Sequence, residues 1–237
     1  MCTVSFVKNN SGEVILTSNR DEKVIRPGAI EPKNYLLKGK NIMYPKDPKA
    51  GGTWFAMDEN GTVLVLLNGG VVKHNPLFSY RKSRGLIALD IISDKSPKDF
   101  WLQINLSDIE PFTLVLYQSG KLYELIWDGF EKTMKQLDEF QNHIWSSVTL
   151  YSDEMRKKRV SWFHDFLRNK NEVSAHEMFN FHTTTQQDDS ENGLIINREN
   201  TVKTVSVTQA IIIQNKGIMR YHDLVNAQDF STSFISI

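Results

Sequence analysis

The sequence predicts an α+β protein built of packed layers. Two observations carry this. Its apolar runs follow the order strands, helices, strands, helices, strands, not a strand–helix alternation. Turn and helix-cap residues also sit at the borders of these runs. With 237 residues, 40% hydrophobic and 24% charged, the chain can bury a sizeable core, and residues 1–237 are expected to form one domain.

The first strand begins at Cys2 in M-C-T-V-S-F, turns at Asn9-Asn10-Ser11-Gly12, and returns through V-I-L-T-S-N-R-D-E. Residues 23–50 carry four prolines and read as loops around short extended pieces. A hairpin follows, residues 54–57 and 62–67 around an Asn60-Gly61 turn. Helices are expected at 83–93 and from Ser96-Pro97, where serine caps and proline takes the first helical position. Residues 112–118 and 121–127 form a hairpin around Ser119-Gly120, and 131–140 is a polar strand–turn passage. Ser152-Asp153-Glu154 opens a helix, and Ser174 with Glu177 makes a capping box for a shorter one. Residues 183–193 are turn-like. Strands at 201–207, 210–214 and 218–222 close the chain, with Lys216-Gly217 turning between the last two.

Composition excludes several functions. A net charge of zero argues against nucleic-acid binding, which needs a basic footprint. No apolar run approaches the ~20 residues of a membrane span, and no signal peptide is evident, so a cytoplasmic protein without membrane insertion is expected. The single cysteine excludes an internal disulfide and a multi-cysteine metal site. The six histidines lack ligand spacing, so neither metal nor cofactor is expected.

That one cysteine, Cys2, follows the initiator methionine. Cysteine is small enough for Met1 to be removed, which would leave a thiol and a free α-amine on one residue. The amine has a pKa of roughly 8 and the thiol about 8.5, so the amine can take the thiol's proton. Across the hairpin, a two-residue loop at Asn10-Ser11 pairs Cys2 with Asn19, one at Ser11-Gly12 pairs it with Asp21, and a three-residue loop puts Arg20 opposite. Each register brings Asn-Arg-Asp beside the chain start, where an arginine and a carboxylate can hold the thiolate and orient the ammonium.

Further along, the pairs Gly51-Gly52 and Gly69-Gly70 free the backbone for close approach to a ligand. Asn68 can donate to an oxyanion, and Trp54 is expected in the wall of the same cleft. Arg81 and Arg84 are candidates to hold an anionic group of a small-molecule substrate or ligand.

Taken in order, M-C-T-V-S-F, S-N-R-D-E, G-G-T-W (51–54), L-N-G-G (67–70) and S-R-G (83–85) resemble the NRDE, or transport-and-Golgi-organisation-like, family. The family in turn is similar to the cysteine N-terminal-nucleophile (Ntn) hydrolases, which include penicillin V acylases and bile-salt hydrolases and cleave linear amides. The resemblance implies a four-layer α/β/β/α sandwich with the nucleophile on the first strand, and Cys2, Asn19, Arg20, Asp21 and Asn68 as catalytic residues. It equally permits a non-catalytic member that binds a hydrophobic cargo such as haem or lipid. The second half departs from the pattern: Ser146-Ser147 stands where many relatives have Ser-Asn, and Thr204-Val205-Ser206 where many have a late arginine. Arg20 also follows the asparagine, whereas the hydrolases place arginine before it.

Overall fold

The structure, a computed structural model, describes residues 3–235. In chain order these form β1 (Thr3–Lys8), β2 (Val14–Lys23), β3 (Ile30–Leu37), β4 (Lys40–Lys46), β5 (Phe55–Asp58) and β6 (Val63–Asn68). Then come α1 (Arg84–Ile92), α2 (Pro97–Gln103), β7 (Phe112–Gln118), β8 (Lys121–Trp127), β9 (Lys132–Leu137) and β10 (His143–Ser146). The last part holds α3 (Asp153–Leu167), α4 (Ala175–Thr184), β11 (Asn197–Arg198), β12 (Val202–Ile213), β13 (Lys216–Asp223) and β14 (Gln228–Ile235).

Two antiparallel sheets result. One runs β3-β4-β5-β6-β7-β8-β9 in simple chain order. The other runs β10-β1-β2-β12-β13-β14, with β11 beside β12, and so joins the start and end of the chain. The first strand is therefore interior, with a neighbour on each side.

The sheets pack face to face. Val4, Phe6 and Leu16 share one buried cluster with Met57, Val65 and Leu116, and the Phe6 and Tyr117 rings lie 5.8 Å apart. The alternate residues Val7 and Ile15 point the other way and pack on Phe163, Met178 and Phe181 of α3 and α4. On the far side, α1 and α2 cover the β3–β9 sheet, with Trp101 edge-on to Phe112 at 5.9 Å. The order is helices, sheet, sheet, helices: an α+β four-layer sandwich.

The caps follow the sequence. Ser83, Ser96 and Ser152 each accept an amide of the first turn, and Ser174 and Glu177 form the reciprocal box. Three expectations are corrected. Residues 23–50 contain the paired strands β3 and β4, because proline is tolerated where β3 is a sheet edge. The segments 201–207 and 210–214 are one strand, β12. Its hairpin to β13 turns at Gln214-Asn215, with Lys216 and Gly217 already paired. The edge strand β14 has too little apolar alternation to be read from sequence. Helix α3 buries Arg159 and Phe163, while Val160 is exposed.

The first glycine pair has a packing role. A Cβ on Gly52 would lie 2.3 Å from the Gly85 carbonyl carbon, and one on Gly85 would lie 2.8 Å from the Thr53 oxygen. Two bare backbones thus cross where α1 begins, tied by the Thr53 amide donating to the Gly85 carbonyl at 3.2 Å. Gly52→Ala should destabilise by roughly 2–3 kcal/mol through overpacking, whereas Gly28→Ala, with nothing within 4 Å, should stay within about 0.5 kcal/mol. Urea unfolding checks this, and equal midpoints for the two variants would refute the crossing as a packing constraint.

Candidate functional site

Strand β2 alternates, and at its far end the alternation separates three polar residues. Arg20 faces the space between the sheets. Its guanidinium carbon lies 4.1 Å from the centre of the Trp54 ring, and its Nη2 donates to Asp47 Oδ2 at 2.9 Å. Arg26 Nε donates to the same oxygen at 2.6 Å. Arg20, Glu22, Arg26, Asp47, Gly52, Trp54, Asn68, Lys82, Arg84 and Glu110 line a cavity of about 420 Å³. Arg84 pairs with Glu110 at 3.0 Å and donates to the Pro111 carbonyl at 3.2 Å. Burial holds the Arg20 and Arg84 guanidiniums below the usual arginine range, against the opposing pull of their carboxylate neighbours. Burial also works to raise the Asp47 pKa. The Arg26 hydrogen bond, the Ala50 amide and the two guanidiniums outweigh it and hold that carboxyl below the usual range.

Asn19 and Asp21 face the helices instead. Asp21 is 3% exposed. Its Oδ2 accepts from the Tyr151 hydroxyl at 2.8 Å and its Oδ1 from Thr204 Oγ1 at 2.5 Å. The register of β12 against β2 slips between Thr204 and Ser206, opposite Asp21 and Arg20. This irregularity turns Thr204 onto the carboxylate, as bulges commonly re-aim side chains. Tyr151 is itself held by Arg159, whose guanidinium carbon stands 3.6 Å from the ring centre. Arg159 also donates to Thr3 Oγ1 and to the carbonyls of Asn192 and Gly193. Asn19 is committed to structure: its amide donates to the carbonyls of His182 and Leu194, and its oxygen meets the His182 ring.

A second, larger cavity of about 850 Å³ opens between the ends of β6, β7 and β8, strand β10 and helix α3. Leu67, Ile126, Ile144, Trp145, Val148 and Val160 give it an apolar wall. Asn68 lines both cavities. Strand β1 runs between β2, which lines the first, and β10, which lines the second.

The described pairs fix the hairpin register, with Thr3 opposite Asn19 and Lys8 opposite Val14. The Asn9 amide donates to the Glu13 carbonyl and leaves a three-residue loop. Cys2 lies outside the described residues. Trp54, Gly52, Arg84 and Asn68 gather around Arg20, whereas Asp21 is on the opposite face of its strand. Arg81 does not line this cavity: it is exposed and donates to the Asn105 and Ser107 carbonyls. Gly69 lines the second cavity, but its bareness serves packing, since a Cβ there would stand 2.4 Å from Val148 Cγ2. Sequence reasoning missed Asp47, Tyr151, Arg159 and Thr204. All four come from segments far from the hairpin and carry no local motif. Among the described residues no group of three or more His, Cys, Asp or Glu side chains could hold a metal ion, and no helix is long and apolar enough to cross a membrane.

Residues 1–232 match the family described as Transport and Golgi organisation 2. The chain belongs to that family. No curated protein matches its sequence. Among solved structures it is similar to a mutant conjugated bile acid hydrolase from Clostridium perfringens, at 12% identity and a TM-score of 0.60, covering 98% of this chain and 92% of that one. A second variant of that hydrolase matches at 12% identity and a TM-score of 0.57, with the same coverage. The Caenorhabditis elegans ortholog of N-acylethanolamine-hydrolyzing acid amidase matches at 10% identity and a TM-score of 0.51, covering 88% and 92%. These likenesses establish a shared fold.

In this family member the β1–β2 hairpin is tied to α4 by a buried histidine. His182 Nε2 lies 2.7 Å from Ser5 Oγ, and Nδ1 meets Asn19 Oδ1. The ring is fully buried, so the Ser-His-Asn arrangement is a structural clasp. Burial first, and the Arg159 charge second, lower the His182 pKa to about 3. In the unfolded chain histidine titrates near 6.5. The folded state therefore binds fewer protons between these values, and stability is lost as pH falls from ~6.5 towards ~3. On the order of 5 kcal/mol is at stake over the whole window. The stability difference between the wild type and His182→Gln should shrink as pH falls through that window. Urea unfolding at stepped pH measures it, and a difference independent of pH would show that the clasp is not read by protonation.

Proposed function

We propose that this protein is a cysteine amidohydrolase of the Ntn type, with Cys2 as nucleophile after removal of Met1. The observation that carries the reading is the placement of Thr3, the residue bonded to Cys2. Thr3 is paired on one side with Asn19 and on the other with Ser146, at the end of an interior strand between two cavities. Val4 and Phe6 face the space between the sheets, the side that Arg20 also faces. The thiolate attacks the amide carbonyl carbon, and the α-amine takes the thiol proton and passes it to the departing amine. A thioester forms as the C–N bond breaks, and water then releases the acid. Arg20 supports the thiolate, Asp21 orients the ammonium, and the Asn68 carboxamide stabilises the oxyanion. The apolar cavity suits the acyl part of a small-molecule substrate, and the charged cavity suits the amine part.

A second reading is a non-catalytic cavity protein for a hydrophobic cargo such as haem or lipid. It is favoured by Ser146-Ser147 and Thr204-Val205-Ser206, stretches where the resemblance implies an asparagine and a late arginine. Intact mass separates the two cheaply, because a retained Met1 removes the amine base. Incubating the mature protein with an amide library should give a covalent adduct on Cys2.

Cys2→Ser should abolish the adduct and cost about 1 kcal/mol or less. Asp21→Asn disturbs two buried hydrogen bonds, so about 1–3 kcal/mol of stability should go with it. Adduct formation per folded molecule should fall more than about tenfold, the scale of losing one oriented charge. Thr204→Val is the control: it loses stability while adduct formation per folded molecule changes less than about threefold. Equal adduct rates in Asp21→Asn and wild type would remove Asp21 from the machinery.

A further inference from the structure

Asp47 has no place in the reaction described above, yet its two oxygens do separate jobs. Oδ1 accepts the backbone amides of Lys49 and Ala50, at 3.0 and 2.9 Å, and shapes the turn that leads to Gly52. Oδ2 accepts Arg20 Nη2 at 2.9 Å and Arg26 Nε at 2.6 Å. The other nearby carboxylate, Glu22, stands 3.8 Å from Arg20 and 3.6 Å from Arg26, beyond a hydrogen bond. Without Asp47, Arg20 keeps the Trp54 ring face, which attracts a cation but does not fix its orientation, and the Glu22 carboxylate at 3.8 Å, too far for a hydrogen bond.

We propose that Asp47 is a positioning residue, holding the Arg20 guanidinium over Trp54 at the wall of the charged cavity so that it can support the Cys2 thiolate. This rests on the reading that Arg20 serves Cys2. Asp47 and Glu22 both stand near Arg20 and Arg26, but only Asp47 is within hydrogen-bond distance, so Asp47 fixes the arginine's orientation while Glu22 contributes charge alone.

The two jobs of Asp47 can be separated. Asp47→Asn keeps one carbonyl oxygen for the Lys49 and Ala50 amides, and turns an NH2 donor towards the arginines in place of an acceptor. Cys2 is the only cysteine, so alkylation of the mature protein by iodoacetamide across a pH series reports its thiol alone. Arg20→Gln should raise the midpoint of that profile by roughly one pH unit, the low end for losing a neighbouring charge. Asp47→Asn should raise it in the same direction, and the double variant should shift no further than Arg20→Gln alone. Asp47→Glu, which keeps the charge, should fall between the wild type and Asp47→Asn.

An unmoved Asp47→Asn midpoint, with Arg20→Gln shifted, would overturn the proposal and leave Asp47 as a turn residue. A lowered midpoint would also overturn it, showing a counter-charge without positioning. An unmoved midpoint in Arg20→Gln would instead sink the reading on which it rests, and the proposal with it. Should Asp47→Asn not fold, Asp47→Glu carries the test. A midpoint shift that disappears in the Arg20→Gln background supports positioning, and one that persists there, or no shift at all, overturns it.

Discussion

Alternate residues of a β-strand point to opposite faces, and the rest of the site depends on how β2 spends that alternation. Asn19-Arg20-Asp21 is contiguous in sequence and divided in space. Arg20 enters the layer between the sheets and meets Trp54, Asp47 and the charged cavity. Asn19 and Asp21 enter the layer under α3 and α4 and meet His182, Tyr151 and Thr204. A shift of one residue in the pairing of β1 with β2 would exchange what stands opposite the chain start, which is why the three-residue loop after Asn9 bears on chemistry so far away.

A strand buried on both faces should be apolar throughout. Here β2 carries Thr17, Ser18, Asn19, Arg20 and Asp21 in a row, all 3% exposed or less. An unpaired buried charge or amide costs several kcal/mol, so such a row persists only where partners are built around it. The partners come from elsewhere in the chain. Gln209 donates to Thr17, the carbonyls of His182 and Leu194 accept from Asn19, Asp47 takes Arg20, and Tyr151 with Thr204 takes Asp21. The irregularity in β12 belongs to this set, since it aims Thr204 at the carboxylate.

The parts legible in the sequence are those with local causes. Serines marked three helix starts, at Ser96, Ser152 and Ser174, and turn residues marked the β1–β2, β5–β6 and β7–β8 hairpins. The four layers came from the family likeness, as periodicity alone reached only packed α+β layers. The β3–β4 hairpin was hidden because its prolines resemble loop punctuation, and β14 because an edge strand needs little apolar pattern. Within the site, Arg20, Trp54, Gly52, Arg84 and Asn68 were each singled out from the sequence by separate signals, and the fold brings them to one cavity. Arg81 was not separable from Arg84, since three residues along the chain do not tell which side chain reaches the cavity and which ends on loop carbonyls. Asp47, Tyr151 and Arg159 are tied to β1 and β2 by contacts spanning 27 to 156 positions, and no local pattern encodes such a pairing.

The likeness to hydrolase structures at 12% identity or less limits what the fold itself can determine. It shows the shared fold, in which this chain's first strand is interior. It does not fix which side chains complete the polar surroundings. Ser147 donates its hydroxyl to the Asn68 carbonyl at 2.7 Å. In the late strand the chain has Thr204 on Asp21. A buried guanidinium does stand near the start of β1, but it is supplied by α3 as Arg159 and points to Thr3. Burial demands that every polar group find a partner, and several residue sets meet that demand. Whether this set also activates a thiol depends on where the Arg20 guanidinium is held, and Asp47 is the carboxylate within hydrogen-bond distance that holds it.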